Sequence, residues 1–165
     1  MRKWIAGIVC FVVLGASAAF AADKTLCTPI ELKSADKNIA LQGPEKGQPS
    51  RIYFIKNMSS KSIWIDHVVT QASASAGWAT FLHAGHWSAF LLNRKNFLMS
   101  CAVILPGKVD YLDCKKAVSV CVPKTVSMDA ISRKSTYWLA EDKSWDDLLK
   151  ALAKRKVVVP VQKTN

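Results

Sequence analysis

The sequence predicts a mainly β domain, an antiparallel β-sandwich or meander barrel with one C-terminal helix. Between positions 51 and 122, short runs rich in β-branched and aromatic residues alternate with turn signals about every 8–12 residues. A single apolar stripe at helical spacing follows near the C-terminus. The chain has 165 residues, of which 50% are hydrophobic and 21% charged. That is the length of about one domain, and the composition is too apolar for a disordered chain.

The first 21 residues have the pattern of an export signal. Arg2 and Lys3 precede a short apolar core, and Ala19-Phe20-Ala21 fits the small-residue rule for signal peptidase. The core is shorter than the roughly 20 apolar residues that span a bilayer, although an uncleaved N-terminal anchor is the alternative. Cleavage after Ala21 lowers the formal net charge from +11 to +9, because Arg2 and Lys3 are lost. We therefore expect an exported protein, periplasmic or extracellular, with no transmembrane span after cleavage.

Four cysteines remain after this cleavage, and an even number in an exported chain predicts two disulfides. Three pairings are open. Cys101 and Cys114 flank a predicted hairpin, which favours a bond between them and leaves Cys27 to join Cys121. The alternative is a zinc site, but the spacings lack the C-x2-C pattern that such sites commonly use.

The mature chain begins with an N-terminal extension over 22–50, where a short strand is predicted at 28–32 and a Gly- and Pro-rich loop follows it. The β domain with its C-terminal helix covers 51–165. Its first two runs, 51–57 and 62–69, are predicted to pair as a hairpin. Both carry apolar residues on both faces, which suits strands packed in a sandwich.

Further strand candidates share the same composition and are separated by polar or glycine-containing turns. They lie at 78–82, 87–92, 97–105, 109–112 and 117–122. A strand-like run at 135–140 precedes the helix, which is predicted over about 145–155. Apolar residues recur at i, i+3, i+4 and i+7 from Trp145, and Ser144 stands at the capping position. A last strand is predicted at 157–161.

Two histidines stand three residues apart across a glycine turn, His83 and His86. A metal ion there would need a third ligand, from Asp66 or His67. Residues three apart in a strand also point to opposite faces. We therefore expect no metal site and two turn histidines that are at least partly exposed.

Two tryptophans flank the histidine turn, Trp78 and Trp87. They could form an exposed platform for a sugar ring or a protein partner, although large aromatic residues more often fill a sandwich core. The next turn carries Arg94 and Lys95. The candidate partner surface therefore comprises Trp78, His83, His86, Trp87, Arg94 and Lys95.

Basic residues outnumber acidic ones by 23 to 12 and are dispersed, with no run longer than three. This charge favours anionic partners such as phospholipid headgroups, acidic polysaccharide or envelope polymers. Nucleic acid is not expected, because its recognition motifs are absent from the sequence. The sequence also lacks a G-x-S-x-G elbow, paired carboxylates for glycoside chemistry and phosphate-binding glycine loops. It therefore predicts a protein that is not an enzyme and uses no cofactor.

The middle of the chain carries a family resemblance over about residues 51–122. The segments concerned are 62–67 (SIWIDH), 73–78 (SASAGW), 85–89 (GHWSA), 93–97 (NRKNF), 100–104 (SCAVI) and 106–114 (PGKVDYLDC). They resemble the enhanced entry protein B (EnhB) family of small exported proteins from intracellular bacterial pathogens. The resemblance implies a role in entry into host cells or growth within them, and it supplies no catalytic residues.

Together, the sequence predicts an exported, non-enzymatic binding or interaction module that by resemblance supports host-cell entry or intracellular growth. Its partner is expected to be a protein or an anionic component of the envelope or the host surface. Two alternatives stay open. One is a metal-dependent hydrolase that uses His83 and His86, and the other is a module that binds anionic membranes through lysine and exposed tryptophan.

Overall fold

The computed structural model describes residues 27–68, 79–128 and 137–159. The export signal predicted at 1–21 and the candidate surface residue Trp78 lie outside the described residues. Among the residues described, no helix combines the length and the apolar composition needed to cross a membrane.

The described chain is mostly strand. In chain order the strands are β1 (Cys27–Pro29), β2 (Lys33–Ala35), β3 (Asn38–Gln42), β4 (Arg51–Asn57), β5 (Ile63–His67), β6 (Ala79–Leu82), β7 (Trp87–Leu92), β8 (Asn96–Leu105), β9 (Lys108–Leu112), β10 (Val118–Pro123), β11 (Ser127–Met128), β12 (Tyr137–Asp142) and β13 (Val157–Val158). The helices are α1 (Cys114–Ala117) and α2 (Trp145–Lys154).

Two antiparallel sheets make up the sandwich. The five-stranded sheet has the order β1-β10-β4-β7-β12, and the six-stranded sheet has the order β2-β3-β8-β5-β6. The sixth strand is β9. It pairs with β8 on the same edge as β3, further along β8. A small third sheet joins β11 to β13. Since β1 and β3 pair within the two main sheets, the described part of 22–50 belongs to the sandwich.

The main core lies between the inner faces of the two sheets. Fully buried side chains such as Ile55, Ile65 and Phe90 meet there. A second core lies on the outer face of the five-stranded sheet, where α2 packs Trp145 against Phe54 with ring centroids 4.6 Å apart. Because β4 and β7 are buried on both faces, their sequences carry apolar residues at successive positions, as in Ile52–Ile55 and Ala89–Leu92, rather than in strict alternation. The predicted fold class, a β-sandwich with a C-terminal helix, is confirmed.

Helix α2 begins as its sequence predicts. The Ser144 hydroxyl accepts a hydrogen bond from the Asp147 backbone N–H at 3.1 Å, which satisfies one of the free N–H groups of the first turn. The stripe that starts at Trp145 is the buried side of the helix, where Leu148 and Leu152 are inaccessible to solvent.

The predicted hairpin between 51–57 and 62–69 is wrong. β4 pairs with β7 and β10 in one sheet, while β5 pairs with β6 and β8 in the other. The turn after Asn57 therefore crosses from one sheet to the other instead of folding a strand back on its neighbour. The predicted final strand at 157–161 is observed only as β13, and its last two residues lie outside the described range.

Both predicted disulfides are present. Cys27 of β1 bonds to Cys121 of β10, with the two Cα atoms 5.7 Å apart. Cys101 bonds to Cys114 across the β8–β9 hairpin, with a Cα separation of 5.2 Å. The first bond fixes the start of the described chain to the five-stranded sheet, and the second closes the hairpin at the edge of the six-stranded sheet.

Candidate functional site

The histidine turn, residues 83–86, leads from β6 in one sheet to β7 in the other. Gly85 has a φ of +73°, a backbone region that favours glycine, and the His86 N–H donates to the His83 carbonyl at 3.1 Å. The fully buried Asn57 holds the turn from the end of β4. Its side-chain amide donates to the Leu82 and His83 carbonyls at 3.0 and 3.1 Å, and its backbone N–H donates to the His86 carbonyl at 3.0 Å. The backbone beneath both imidazoles is therefore fixed.

A carboxylate from β12 completes the arrangement. Glu141 lies opposite Ser88 in the β7–β12 register, and its Oε1 atom is 2.7 Å from the His83 Nδ1 and 2.9 Å from the His86 Nδ1. The same oxygen accepts the His83 backbone N–H at 3.0 Å. The His83 side chain is 61% exposed, whereas those of His86 and Glu141 are 21% and 20% exposed. We call these three residues the histidine–glutamate cluster.

The cluster offers two imidazole nitrogens and a carboxylate oxygen, all within 4.8 Å of one another. The expectation that a third ligand would come from Asp66 or His67 is wrong. Asp66 lies opposite Ala79 and Ser100 on the six-stranded sheet, and the His67 ring is stacked on Phe97 at 4.6 Å. Glu141 was missed because it is more than 50 residues from the histidines in sequence. Its only local signal is its place directly after a predicted strand.

The candidate partner surface predicted from the sequence does not form one face. Trp87 is buried, with its ring 5.0 Å from that of Trp145 and the Lys56 Nζ 5.4 Å from its centroid. The exposed-platform interpretation is therefore wrong for Trp87, because α2 covers it. Arg94 and Lys95 follow β7 whereas the histidines precede it, so about 20 Å of strand separates the two turns. Lys95 instead pairs with Glu45 at 3.0 Å, between two well-exposed side chains.

A different surface presents aromatic side chains. On the outer face of the six-stranded sheet, Trp64 of β5 lies opposite Phe81 of β6 on one side and Ala102 of β8 on the other. Ala102 in turn lies opposite Tyr111 of β9. Directly opposed residues share a face, so these four form one row across four strands. The Trp64 and Phe81 rings meet edge to face at 4.8 Å, and Phe81 and Tyr111 are 42% and 56% exposed. We call Phe81, Trp64, Ala102 and Tyr111 the aromatic row.

The apolar surface continues along the β8–β9 hairpin. Ile104 and Val109 oppose each other in register, on the same face as the aromatic row, and each is half exposed. Sequence reasoning missed this surface because its residues come from four separate strands. The signal available in the sequence was alternation within β9, where the apolar Val109 and Tyr111 alternate with Lys108 and Asp110 and therefore share a face. The structure shows that β9 is exposed along nearly all its length.

A groove of about 730 Å³ opens beside the row. It lies where β3 and β9 meet on the same edge of β8, since β3 pairs with β8 only as far as Met99 and β9 pairs from Cys101 onward. The lining residues are Asp36, Lys37, Asn38, Asp66, His67, Val68, Ser100 and Tyr111. The Lys37 Nζ donates to the Tyr111 carbonyl at 3.1 Å and so links the two strand ends.

The pKa of His67, one of the groove residues, is lowered by its surroundings. Burial and the positive charge of Arg94 lower the pKa of His67, against a smaller opposing effect of the Asp66 carboxylate. The His67 imidazole is therefore held neutral over a wider pH range than a solvated histidine. The groove thus combines a neutral ring with carboxylate, amide, hydroxyl and ammonium groups.

Comparison of the chain with protein-family models, with curated proteins and with solved structures finds no match. The resemblance to the EnhB family stays a prediction.

Proposed function

We propose that the protein is an exported binding module without catalytic activity, whose ligand is an acidic polysaccharide of the bacterial envelope or the host-cell surface. Its ligand face is the outer face of the six-stranded sheet. Through this binding it would support host-cell entry or intracellular growth, as the resemblance to the EnhB family implies. The two disulfides suit an exported protein, because such bonds persist in oxidising compartments.

The aromatic row is the observation that carries the proposal. The outer face of the five-stranded sheet is covered by α2, whereas Phe81 and Tyr111 on the opposite side of the sandwich remain about half exposed. Contiguous exposed apolar side chains on a folded protein mark interaction sites. Aromatic rings with one apolar face free are suited to stacking against a flat partner.

The spacing of the row favours an extended ligand. Trp64 and Tyr111 flank the small side chain of Ala102, and strands are about 4.8 Å apart, so the two rings stand roughly 10 Å from each other. A polymer of rings can contact both at once. The neighbouring groove supplies the hydrogen-bonding groups that sugar hydroxyls need, from Asp66, Asn38 and Ser100.

Charge favours an acidic polymer over a neutral one. The mature chain carries a formal net charge of +9, so the attraction comes from the molecule as a whole; at the groove the Lys37 ammonium stands beside the Asp36 and Asp66 carboxylates. A positive field raises the local concentration of a polyanion and speeds its association. In this proposal charge supplies attraction at a distance, and the aromatic row supplies contact.

Retention on an immobilised polysaccharide tests the proposal. The mature protein, with its disulfides intact, is passed over heparin and over neutral dextran of similar size. We expect retention on heparin alone, falling as salt rises. Trp64→Ala and Tyr111→Ala should each weaken binding by about tenfold or more, the loss typical of a central contact residue. Met58→Ala is the matched control, because Met58 is 45% exposed and lies outside the row.

Three results would contradict the proposal. The first is that the wild-type protein does not bind heparin. The second is that Met58→Ala weakens binding as much as Tyr111→Ala. The third is that neither Trp64→Ala nor Tyr111→Ala changes binding. Salt-sensitive flotation with anionic liposomes, without retention on heparin, would support membrane binding in its place. A protein partner would be indicated if capture from host lysate depended on Tyr111 but heparin binding did not occur.

A further inference from the structure

We propose that His83, His86 and Glu141 bind one divalent transition-metal ion, with Zn²⁺ as the expected ion. The site is separate from the polysaccharide face and does not depend on it. It lies where the β6–β7 turn meets the end of β12, whereas the aromatic row crosses the outer face of the six-stranded sheet.

The donor set fits the ion. Zn²⁺ is bound in proteins by imidazole nitrogen and carboxylate oxygen, and two histidines with one glutamate are a known set of three ligands that leaves a fourth position open. The cluster supplies this set and no cysteine, so it suits Zn²⁺, Cu²⁺ or Ni²⁺ better than Ca²⁺ or Mg²⁺, which prefer oxygen ligands alone.

The spacing also fits. Metal–ligand bonds of about 2.0–2.1 Å place neighbouring ligand atoms of a tetrahedral site about 3.3 Å apart. The Glu141 Oε1 is 2.7 and 2.9 Å from the two Nδ1 atoms, and the three ligand atoms lie within 4.8 Å of one another. Insertion of the ion requires the Glu141 oxygen to move away from each Nδ1 by several tenths of an ångström, and the two imidazole nitrogens, up to 4.8 Å apart, to approach each other. The His83 side chain, 61% exposed, has the freedom to make that movement.

The backbone around the site is pre-organised. Asn57 holds the turn through the His83 and His86 carbonyls, and the β7–β12 register places Glu141. The His83 backbone N–H donates to the Glu141 carboxylate and so orients it. Hydrogen bonds of this kind fix ligands in the direction the ion needs. Binding of the ion therefore requires side-chain movement but little ordering of the backbone.

Zinc binding at the cluster is coupled to the protonation of the two histidines. A neutral imidazole that binds Zn²⁺ through Nδ1 carries its one proton on Nε2, so it releases none, whereas a protonated imidazole must release one. The carboxylate binds in its ionised form. Affinity should therefore fall as the solution is acidified, because protons compete with the ion for both histidines.

Zinc titration of the intact mature protein tests the site. The protein is prepared without a polyhistidine tag, stripped with EDTA and titrated by calorimetry, with metal content measured by elemental analysis after dialysis. We expect one Zn²⁺ per chain. His83→Gln, His86→Gln and Glu141→Gln should each weaken binding at least tenfold. His67→Gln is the matched control and should leave binding unchanged, because His67 lies in the groove.

The proposal is overturned if the wild-type protein binds no Zn²⁺, if the doubly substituted His83→Gln, His86→Gln protein binds it as tightly as wild type, or if His67→Gln weakens binding equally. Near-ultraviolet circular dichroism of each stripped variant checks the fold. If Glu141→Gln disturbs the fold, the more exposed His83→Gln decides the question. Heparin retention of His83→Gln should equal that of wild type, which separates failure of this site from failure of the polysaccharide face.

Discussion

The two disulfides should contribute unequally to stability, because they close loops of very different size. Cys27 and Cys121 are 94 residues apart, whereas Cys101 and Cys114 are 13 apart. A cross-link restricts the unfolded chain more when it closes a longer loop. Replacing both cysteines of one bond with alanine removes that restriction and leaves the other bond intact.

The expected losses follow from the loop lengths. The chain-entropy relation gives about 4.7 kcal/mol at 25 °C for the long loop and about 2.9 kcal/mol for the short one. The short loop is nested in the long one and shortens it in effect, which changes the larger value by only about 0.1 kcal/mol. All four cysteines are buried, so the local packing losses are similar in the two variants. We therefore expect a difference of about 1.8 kcal/mol.

Guanidinium unfolding of the two double variants at neutral pH, without reductant, measures this difference. The variant without the bond between Cys27 and Cys121 should have the lower free energy of unfolding. Two results would refute the reasoning: equal losses within about 0.5 kcal/mol, or a larger loss for the variant without the bond between Cys101 and Cys114.

Three further predictions concern single side chains: Asn57 beneath the histidine turn, His67 in the groove and Ser144 at the start of α2. Asn57→Ala should lower the free energy of unfolding by about 3 kcal/mol, because the buried amide donates to three backbone carbonyls. Asn96→Ala, at an exposed position, is the control and should change that free energy by less than about 0.5 kcal/mol in the same denaturation assay. Folding lowers the pKa of His67 below its usual 6.5, so the unfolded state binds the extra proton and stability should fall as the pH drops through that value. Unfolding measured between about pH 7 and pH 5 should show a flatter pH dependence in His67→Gln, and an unchanged slope would refute the assignment. Ser144→Ala removes the cap of α2 and should cost about 1 kcal/mol, read from the denaturation midpoint.

The elements that sequence predicts best are those whose signal is local. β4 and β7 have the bounds expected from their β-branched and aromatic runs, and α2 begins at the residue after its predicted cap. Each depends on spacing within a few residues, through alternation, helical periodicity or an N-cap. The pairing of Cys101 with Cys114 is of the same kind, because the hairpin that brings them together is itself local.

Which sheet a strand joins depends on contacts that are distant in sequence, and the predicted hairpin between 51–57 and 62–69 was wrong for that reason. The runs at 51–57 and 62–69 are neighbours in sequence, yet they belong to opposite sheets. The composition of each run does not determine which strand it pairs with. β3 was missed although Asn38–Gln42 alternates between exposed and buried positions, because five residues give a weak pattern.

The candidate sites combine positions that are distant in sequence. Glu141 reaches the histidines through the β7–β12 register, which shifts at an irregularity between Trp138 and Ala140. A register shift of one residue moves a side chain to the other face, so the sequence alone could not place this carboxylate. The aromatic row likewise depends on the register of four strands, which no local pattern determines.

We propose that the outer face of the six-stranded sheet binds an acidic polysaccharide. The most direct test of this binding is a titration of ¹⁵N-labelled mature protein with a short heparin oligosaccharide, followed residue by residue in amide NMR spectra. We expect shift changes concentrated at Trp64, Phe81, Ala102 and Tyr111. Changes confined to α2, or spread evenly over the lysine-bearing turns, would contradict it.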